Sequence, residues 1–409
     1  MIETLLLGGV WLLAAVVALP IGMFAVETLL AVLLGERELP EAAEGQLPRG
    51  TILMPAHNEE AVIADTLGRL VPHLPLGTRV LVIADNCSDA TAEIARQFDV
   101  DVLERSHETD RGKGFALAAG MKAIEASPPD VVMIVDADCH VTPGAIQHLL
   151  GAVKATGRCI QGSVTMTAPE GAGPLQKVSE FAFQFKNTVR AIGLFQMIRA
   201  CHLFGTGMAF PWEVLHRAKL ASSNVVEDMQ LGVDLVIAGQ APLLYSAAKF
   251  TSPLPIQKKA IASQRTRWEH GHLQTILSEV PKLLLAAVRQ CRIDRVFFAL
   301  DLAIPPLSLL VMGWVLAFAA TAIVGGIFGE FRPAMTLAGC GILMAFSVLV
   351  GWYRYCREAI SLSTLVLAPL YALSKLPIYF AFLVKRQKAW VRTDRDAPKP
   401  QTPLHGAQA

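Results

Sequence analysis

The sequence predicts an α/β domain with a mostly parallel sheet, flanked by transmembrane helices, and three observations support this fold class. Hydrophobic residues make up 53% of the 409 residues, a high fraction for a soluble chain. Long apolar runs are concentrated near both ends. Between them, short apolar segments alternate with amphipathic ones, which is typical of parallel strands connected by helices.

The first apolar run covers residues 5–34 and contains a single charged residue, Glu27. At ~1.5 Å per residue it is long enough to cross a hydrocarbon core of ~30 Å. We predict an uncleaved transmembrane helix within residues 1–36, because a signal peptide would carry a basic segment before a shorter apolar run. Arg37 follows the run and no Lys or Arg precedes it, so the positive-inside rule places residue 37 onward in the cytoplasm.

Two more transmembrane helices are predicted near the other end, at 297–328 and 333–353. Basic residues flank this pair on both outer sides, so both flanks are expected in the cytoplasm. A fourth apolar run, 359–384, also has basic flanks, and a single crossing would place the basic tail outside. We therefore favour an interfacial or re-entrant segment over a transmembrane one. Residues 385–409 are expected to form a basic, partly disordered tail.

Charge and cysteine content argue against several classes of protein. The chain has 36 Lys and Arg, 35 Asp and Glu, and a formal net charge of +1, which gives no sign of a nucleic-acid partner. Its seven cysteines are scattered and include no C-x-x-C pair. This pattern indicates reduced thiols in place of a disulfide framework or a zinc site.

The central region, 48–290, has the pattern of one cytosolic α/β domain. We predict strands at 50–55, 79–84, 100–104 and 131–135, and helices at 59–70, 91–98 and 115–126. In parallel sheets of this kind, ligands bind beyond the carboxyl ends of the strands. We therefore expect the functional residues to follow the strands.

Polar residues follow three of the predicted strands, at 55–60, 85–89 and 136–139. Each of these segments has an ordinary explanation as a turn or a helix cap. For Asp89 we favour the helix cap. Three acidic strand ends in one sheet are better explained by a shared ligand.

Asp136 and Asp138 are the most informative of these acids. Carboxylates two residues apart at a strand end can point the same way, and two like charges that close require a counter-ion. Mg²⁺ or Mn²⁺ bound by one or two carboxylates and by phosphate oxygens would suit a nucleotide diphosphate. For a D-x-D pair taken alone, two solvated aspartates are the common alternative.

Three later segments add to this pattern. The segment DRGKG at 110–114 places a lysine between two glycines, which suits an anion, although it lacks the spacing of a P-loop. The glycines in 204–208 would allow the backbone to approach a ligand closely. Glu227 and Asp228 begin a predicted helix, where an acid can simply favour the helix dipole. One of them could instead be a general base for a hydroxyl nucleophile, and we favour Asp228.

The segment SQRTRWEHGH at 263–272 combines cations with an aromatic side chain. Arg267 offers a planar cation suited to a diphosphate, and Trp268 an apolar face for a sugar or acceptor. His270 and His272 have no third metal ligand nearby in the sequence. We expect them to be surface or interfacial histidines.

Taken in order, these elements resemble the family 2 inverting glycosyltransferases with the nucleotide-sugar-binding GT-A fold. The matching motifs are PAHNEE at 55–60, ADNCSD at 84–89, RGKG at 111–114, VDADC at 135–139, GTGM at 205–208, VEDMQLG at 226–232 and QRTRW at 264–268. The last contains the Q-x-x-R-W pattern shared by cellulose, chitin and hyaluronan synthases and by ceramide glucosyltransferases.

The resemblance implies roles for individual residues. Those implied to bind the nucleotide are Pro55, Asn58, Glu59, Asp85, Lys113 and Asp136. Those implied to contact the diphosphate or the acceptor are Gln264, Arg267, Trp268 and Gly207. It also implies Mg²⁺ or Mn²⁺ held by Asp136 and Asp138, and Asp228 as the catalytic base. Ala84 stands where many relatives carry another aspartate, which leaves Asp85 as the strongest uridine candidate.

The resemblance implies an enzyme of a bacterial inner membrane with its catalytic domain in the cytosol. It would transfer a sugar from a nucleotide sugar, with UDP as the expected carrier, to a hydroxyl of a lipid or lipid-linked acceptor. A processive exopolysaccharide synthase is the main alternative, and the small number of spans favours the lipid acceptor. A membrane protein that binds nucleotide sugars without catalysis and a nucleotidyltransferase are weaker alternatives.

Overall fold

The structure is a computed structural model that describes residues 2–169, 171–222, 226–255 and 257–384. Its centre is an eight-stranded sheet with the spatial strand order β3-β2-β1-β4-β7-β6-β8-β5. The strands are β1 (Gly50–Ala56), β2 (Thr78–Asp85), β3 (Asp101–Arg105), β4 (Val131–Ile134), β5 (His140–Val141), β6 (Ile160–Thr167), β7 (Met208–Pro211) and β8 (Leu243–Pro253). The four strands predicted from the sequence are confirmed, with small differences at their ends.

The sheet is mixed, with its parallel half built from the first four strands. Strand β1 pairs in parallel with β2 and β4, and β2 pairs in parallel with β3. Strand β7 is antiparallel to both β4 and β6. The carboxyl ends of β1, β2 and β4 therefore meet at one edge, where the acidic segments follow them.

The helices surround this sheet and extend away from it. They are α1 (Ile2–Leu34), α2 (Ile63–Leu70), α3 (Thr91–Ala95), α4 (Lys113–Ile124), α5 (Ala145–Thr156), α6 (Pro174–Gln184), α7 (Ala191–Ile198), α8 (Trp212–Leu215), α9 (Glu227–Ile237), α10 (Lys258–Arg289), α11 (Ile293–Leu302), α12 (Leu307–Phe328), α13 (Arg332–Gly351), α14 (Leu362–Leu365), α15 (Ala368–Ser374) and α16 (Leu376–Val384). A π-helical segment, Phe185–Arg190, joins α6 to α7.

Both faces of the sheet are buried, which explains the unbroken apolar sequence of its central strands. In β4, Val131 and Met133 pack into the core on one face, whereas Val132 and Ile134 pack on the other. Side chains of α2 and α5 belong to the first core and side chains of α4 to the second. The alternation is the period of two expected for a strand.

Helix α2 begins later than the predicted start at residue 59. Asn58 has a left-handed backbone with φ of 55°, and the Glu59 carbonyl accepts hydrogen bonds from the amides of Val62 and Ile63. These residues form a turn that precedes the helix. The polar segment after β1 is therefore a loop at the edge of the sheet.

Within the described residues, four segments are long and apolar enough to cross a membrane: Glu3–Leu34, Leu307–Phe328, Arg332–Cys356 and Leu362–Val384. The helix predicted at 297–328 is divided into α11 and α12, because Pro305 and Pro306 interrupt it. Proline lacks an amide donor and also disfavours a helical conformation in the residue before it. Only α12 carries the apolar length needed for a span.

The fourth segment consists of three short helices, α14 to α16. Its buried Lys375 forms an ion pair with Glu269 of α10. Length and composition would allow this segment to cross a membrane, so the interfacial or re-entrant placement stays a prediction. The tail predicted at 385–409 lies outside the described residues.

Helix α1 joins the central α/β domain through buried charges. Arg190 donates from Nε to Glu27 Oε2 over 2.9 Å and from an Nη atom to Asp301 Oδ1 over 2.6 Å. The other oxygen of Asp301 contacts His202. At Gly193 of α7, an added Cβ would overlap the Glu27 carbonyl oxygen. The first span therefore packs directly against the helices that support the sheet.

Candidate active site

A cavity of about 1050 Å³ opens at the edge where β1, β2 and β4 end. Its walls contain every site residue predicted from the sequence except Gly207. Those lining residues are Pro55, Asn58, Glu59, Asp85, Lys113, Asp136, Asp138, Asp228, Gln264, Arg267 and Trp268. The fold thus brings together segments separated by up to two hundred residues of chain, as the sequence predicted.

Asp85 is buried at the end of β2 and held by two donors. Its Oδ1 accepts from Arg105 over 2.5 Å and from the Asn86 side chain over 3.1 Å. Arg105 was not predicted to belong to the site. It stands opposite Asp85 in the parallel register of β2 and β3, so the strand pairing determines the contact. The positive charge of Arg105 offsets the free-energy cost of burying the Asp85 carboxylate.

Asn58 connects the loop after β1 to the loop after β2. Its side-chain oxygen accepts from the Ser88 amide over 2.7 Å, and its amide nitrogen donates to the Ser88 hydroxyl over 3.2 Å. Asp89 accepts from the Thr91 amide over 3.1 Å at the start of α3, although the N-cap position itself is Ala90. These bonds fix the shape of the loops around the cavity.

Lys113 begins α4 and reaches the end of β4. Its Nζ lies 2.5 Å from Asp136 Oδ1 and 2.8 Å from the Gly205 carbonyl oxygen. Burial is the largest single effect and lowers the pKa of Lys113, but Asp136, Glu227 and Asp228 together outweigh it and raise the pKa to about 12. The lysine is therefore a permanent cation at the positive end of a helix, a combination that favours a bound anion.

The glycines of two motifs have packing roles. A Cβ at Gly114 would lie 2.5 Å from the Leu220 carbonyl oxygen, so this glycine lets α4 pack against a neighbouring loop. A Cβ at Gly207 would lie 2.5 Å from the Phe250 ring. Gly207 is not among the residues that line the cavity, and its predicted contact with diphosphate or acceptor stays a prediction. Gly205, with φ of 85°, lies at the cavity wall in its place.

Asp136 and Asp138 both line the cavity. Among the described residues, no three His, Cys, Asp or Glu side chains converge to hold a metal ion by themselves. Mg²⁺ characteristically binds through one or two carboxylates, with phosphate oxygens of the substrate completing its shell. Two aspartates beside Lys113 fit a cation held in this way.

Glu227 and Asp228 stand at the start of α9, next to the same lysine. Burial raises the pKa of Glu227, and the negative charge of Asp228 raises it further, to about 7. Burial also raises the pKa of Asp228, against the opposing effect of Lys113. The Asp228 carboxylate lies close to Gly205, since a Cβ added to this glycine would be 3.3 Å from Asp228 Oδ2. A carboxylate with a raised pKa in a cavity wall has the character of a general base.

The signature residues lie on α10. Gln264, Arg267 and Trp268 line the cavity, and the Trp268 ring lies 5.8 Å from the Phe183 ring between centroids. Glu269 pairs with Lys375 and accepts from the Tyr379 hydroxyl over 2.9 Å. The signature helix is thereby attached to the last apolar segment.

Of the expectation that His270 and His272 are surface or interfacial histidines, the surface alternative is wrong. His270 and His272 are both buried. His270 Nε2 lies 2.8 Å from the Ile378 carbonyl oxygen. Burial, together with the positive charge of Lys186, holds the pKa of His272 well below its usual range. Both histidines pack between α10 and the helices around it.

The far end of the cavity is formed by parts of the chain outside the predicted domain. These include Phe24 of α1, residues 304–308 at the junction of α11 and α12, and Tyr371 and Lys375 of the last segment. Lys186 and Arg190 of the π-helical segment also line this end. None of these residues was predicted to belong to the site, and no local sequence motif distinguishes them.

A sheet of this order, with a basic helix start and aspartates at its strand ends, defines the class of GT-A nucleotide-sugar-dependent transferases. The family model described as "Glycosyltransferase like family 2" matches residues 48–271. The chain belongs to glycosyltransferase family 2, which confirms the predicted fold and the predicted transferase class.

Named relatives and a solved structure agree with this assignment. The probable glycosyltransferase YdaM of Bacillus subtilis is 25% identical over 283 residues, 64% of this chain and 65% of that protein. The beta-monoglucosyldiacylglycerol synthase of Trichormus variabilis is 35% identical over 122 residues, 28% of this chain and 25% of that protein. The chain thus spans less than two thirds of the length of these relatives.

The solved structure is the mannosyltransferase PcManGT from Pyrobaculum calidifontis in complex with GDP-Man and Mn²⁺. It is 16% identical to this chain, with a TM-score of 0.55, and the match covers 92% of this chain and 100% of that one. At this identity the likeness shows the shared fold.

Proposed function

We propose that this membrane glycosyltransferase transfers a sugar from a UDP sugar to a hydroxyl of a lipid or lipid-linked acceptor at the cytosolic membrane face. One observation carries the proposal. A single cavity has acidic strand ends in one part of its wall and residues of membrane-associated segments in another. A water-soluble donor and an amphipathic acceptor would meet in it.

The donor would bind at the strand ends. Pro55, Asn58, Glu59 and Asp85 would surround the uridine, and Lys113 at the start of α4 would attract the diphosphate. Arg267 would add a second cation to the diphosphate from α10. Asp136 and Asp138 would hold Mg²⁺ or Mn²⁺, whose chemistry there is neutralisation of the leaving diphosphate.

Asp228 would remove the proton from the acceptor hydroxyl. The hydroxyl oxygen then forms a bond to the anomeric carbon as the bond between that carbon and the diphosphate breaks, and the configuration inverts. This single displacement requires no protein nucleophile. Lys113, a cation among carboxylates, would stabilise the negative charge that develops on the departing nucleoside diphosphate.

Two observations support a lipid acceptor over an exported polymer. The described part of the chain has four segments that could span a membrane, few for a protein that surrounds a growing glycan. One relative is by name a synthase of a glucosylated diacylglycerol. We further propose that the protein resides in a bacterial inner membrane.

The test uses the purified full chain in lipid nanodiscs with radiolabelled UDP sugars. Label extracted into organic solvent is the expected result, with loss of transfer after chelation and recovery on addition of Mn²⁺ or Mg²⁺. Label that precipitates as polymer would favour the processive synthase. Release of inorganic diphosphate in place of UDP would contradict glycosyl transfer.

A further inference from the structure

One face of the helix running from α6 through the π-helical segment forms a wall of the cavity. Side chains three or four residues apart project from the same face of a helix. The cavity-lining residues of this kind are Ser179, Ala182, Phe183, Lys186, Asn187 and Arg190. This face is the longest continuous element on the acceptor side.

The outer part of this wall contacts the last apolar segment and the signature helix. The Tyr371 hydroxyl donates to Ser179 Oγ over 3.1 Å. One turn further on, Phe183 packs against the ring of Trp268. The last apolar segment and the signature helix therefore border this part of the wall.

The inner end of the wall is Arg190, whose charge is neutralised by Glu27 and Asp301. Lys186 lies one turn earlier and differs from it. Lys186 makes no hydrogen bond or ion pair with any residue in the described ranges. Only longer-range attraction reaches it, first from Asp228 and then from Asp301.

An ammonium group at a cavity wall without a direct counter-ion is costly. Burial, together with the positive charge of Arg190, lowers the pKa of Lys186. Lys375, a buried lysine that lines the same cavity, has Glu269 as its partner. The position of Lys186 is thus suited to a negative charge supplied by a ligand.

We propose that Lys186 binds an anionic group of the phosphate class on the acceptor, close to the hydroxyl that Asp228 deprotonates. Apolar residues of the same cavity, Phe24, Phe185 and those at 304–308, would hold hydrocarbon chains. The acceptor is then an anionic amphiphile. This inference deepens the proposed function and rests on it.

A different role for Lys186 would be electrostatic support of Asp228 alone. In that case the lysine would act on every acceptor equally, because it would change only the base. A binding role acts on anionic acceptors selectively. The two roles therefore give different results when acceptors differ only in a phosphate.

The experiment compares acceptors in nanodiscs that contain phosphatidylglycerol or diacylglycerol with the same acyl chains, and a third arm supplies soluble glycerol 3-phosphate. The full-length variants are Lys186→Met, Lys186→Arg and the matched control Lys177→Met. Lys177 lies on the same helix, pairs with Glu180 and does not line the cavity. Initial rates of labelled sugar transfer give kcat/KM for each acceptor.

We expect the wild type to prefer phosphatidylglycerol. Lys186→Met should lower kcat/KM for this lipid by ~10-fold or more, the effect of losing one charge-assisted hydrogen bond, and should change diacylglycerol far less. Lys186→Arg should keep most of the preference, and Lys177→Met all of it. Equal losses for both lipids, or no preference in the wild type, would overturn the anionic subsite.

The remaining outcomes separate this inference from the proposed function. Transfer to glycerol 3-phosphate as efficient as to phosphatidylglycerol, and sensitive to Lys186→Met, would support the anionic subsite and contradict a lipid acceptor. Intact UDP binding without transfer to any of the three acceptors would overturn both. Calorimetric titration with UDP provides that binding measurement.

Discussion

The donor end and the membrane end of the cavity use the same kinds of charged pairs in different ways. At the donor end, Lys113 and Asp136 pair directly in the wall where a nucleotide would bind, and Asp85 of the same wall is neutralised by Arg105. At the membrane end, Glu27 with Arg190 and Glu269 with Lys375 connect separate parts of the chain. The first set prepares a binding site, whereas the second holds membrane segments against the domain.

The comparison shows that a buried ion pair does not by itself mark a catalytic group. Removing one partner of such a pair leaves an uncompensated charge wherever the pair lies. The measured consequence should differ, however. Donor-end changes should affect nucleotide binding or chemistry, and membrane-end changes should affect stability while nucleotide binding persists.

The largest effect is expected from substituting Asp228, which lies where the two ends of the cavity meet. Asp228→Asn should lower kcat by ~10²–10⁴-fold, because the acceptor hydroxyl loses its general base. UDP binding, measured by calorimetric titration, should be retained. The control is Asp234→Asn, an exposed position on the same helix. Substantial turnover by Asp228→Asn would contradict the assignment of the base.

Next in size is the loss of a membrane-end cation. Arg190→Met should destabilise the protein by about 3–5 kcal/mol, since Glu27 and Asp301 would stay buried without their partner. Thermal melting in detergent micelles measures the loss, and UDP binding below the melting transition should be unchanged. Arg217→Met, at a position with 79% side-chain exposure, is the control. Equal melting shifts for Arg190→Met and Arg217→Met would contradict the role of the Arg190 ion pairs in stabilising the membrane end.

A smaller effect is expected from a methyl group at the contact between α1 and α7. Gly193→Ala should cost about 1–3 kcal/mol, because its Cβ would overlap the Glu27 carbonyl oxygen and force the helices apart. Gly313→Ala in α12 has open space around it and serves as the control. A wild-type melting temperature for Gly193→Ala would show that α1 is loosely attached.

The smallest effect concerns pH. Burial first, and then Asp228, raise the pKa of Glu227 from 4.5 to about 7, so the folded state keeps a proton that the unfolded state has released. This contribution to stability is complete below the unfolded pKa and is lost as pH rises toward 7. Glu227→Gln should therefore gain about 1–2 kcal/mol over the wild type above pH ~8 and little below pH ~5.

Melting temperatures of both proteins across this pH range provide the measurement. Glu213→Gln, at an exposed position, should show no such dependence. A constant difference between wild type and Glu227→Gln at all pH values would contradict the raised pKa.

The donor end was predictable because its residues follow strands that the sequence identifies. Strand β4 is an unbroken apolar run that Asp136 and Asp138 follow, and parallel pairing places its end beside the end of β1, which in turn lies beside β2. Spacing alone therefore located both acids. The break between α11 and α12 was also present in the sequence, as the consecutive prolines 305 and 306, but apolar length was given more weight.

The membrane end was not predictable in this way. Glu27 and Arg190 are 163 residues apart, and Glu269 and Lys375 are 106 apart, so nothing local indicates that they pair. The error about His270 has the same origin. Its burial depends on α16, a segment whose position no periodicity reveals. Contacts between residues far apart in the sequence can be recognised only once the folded structure is known.

The shared wall of the cavity also limits how this enzyme can be divided. A fragment ending near residue 290 would keep the nucleotide-binding strands and Asp228 but would lose 304–308, Tyr371 and Lys375 from the wall. Replacing the spans with those of an unrelated protein would have the same result. In engineering terms, these apolar helices are not an interchangeable anchor, because their residues complete the wall of the cavity.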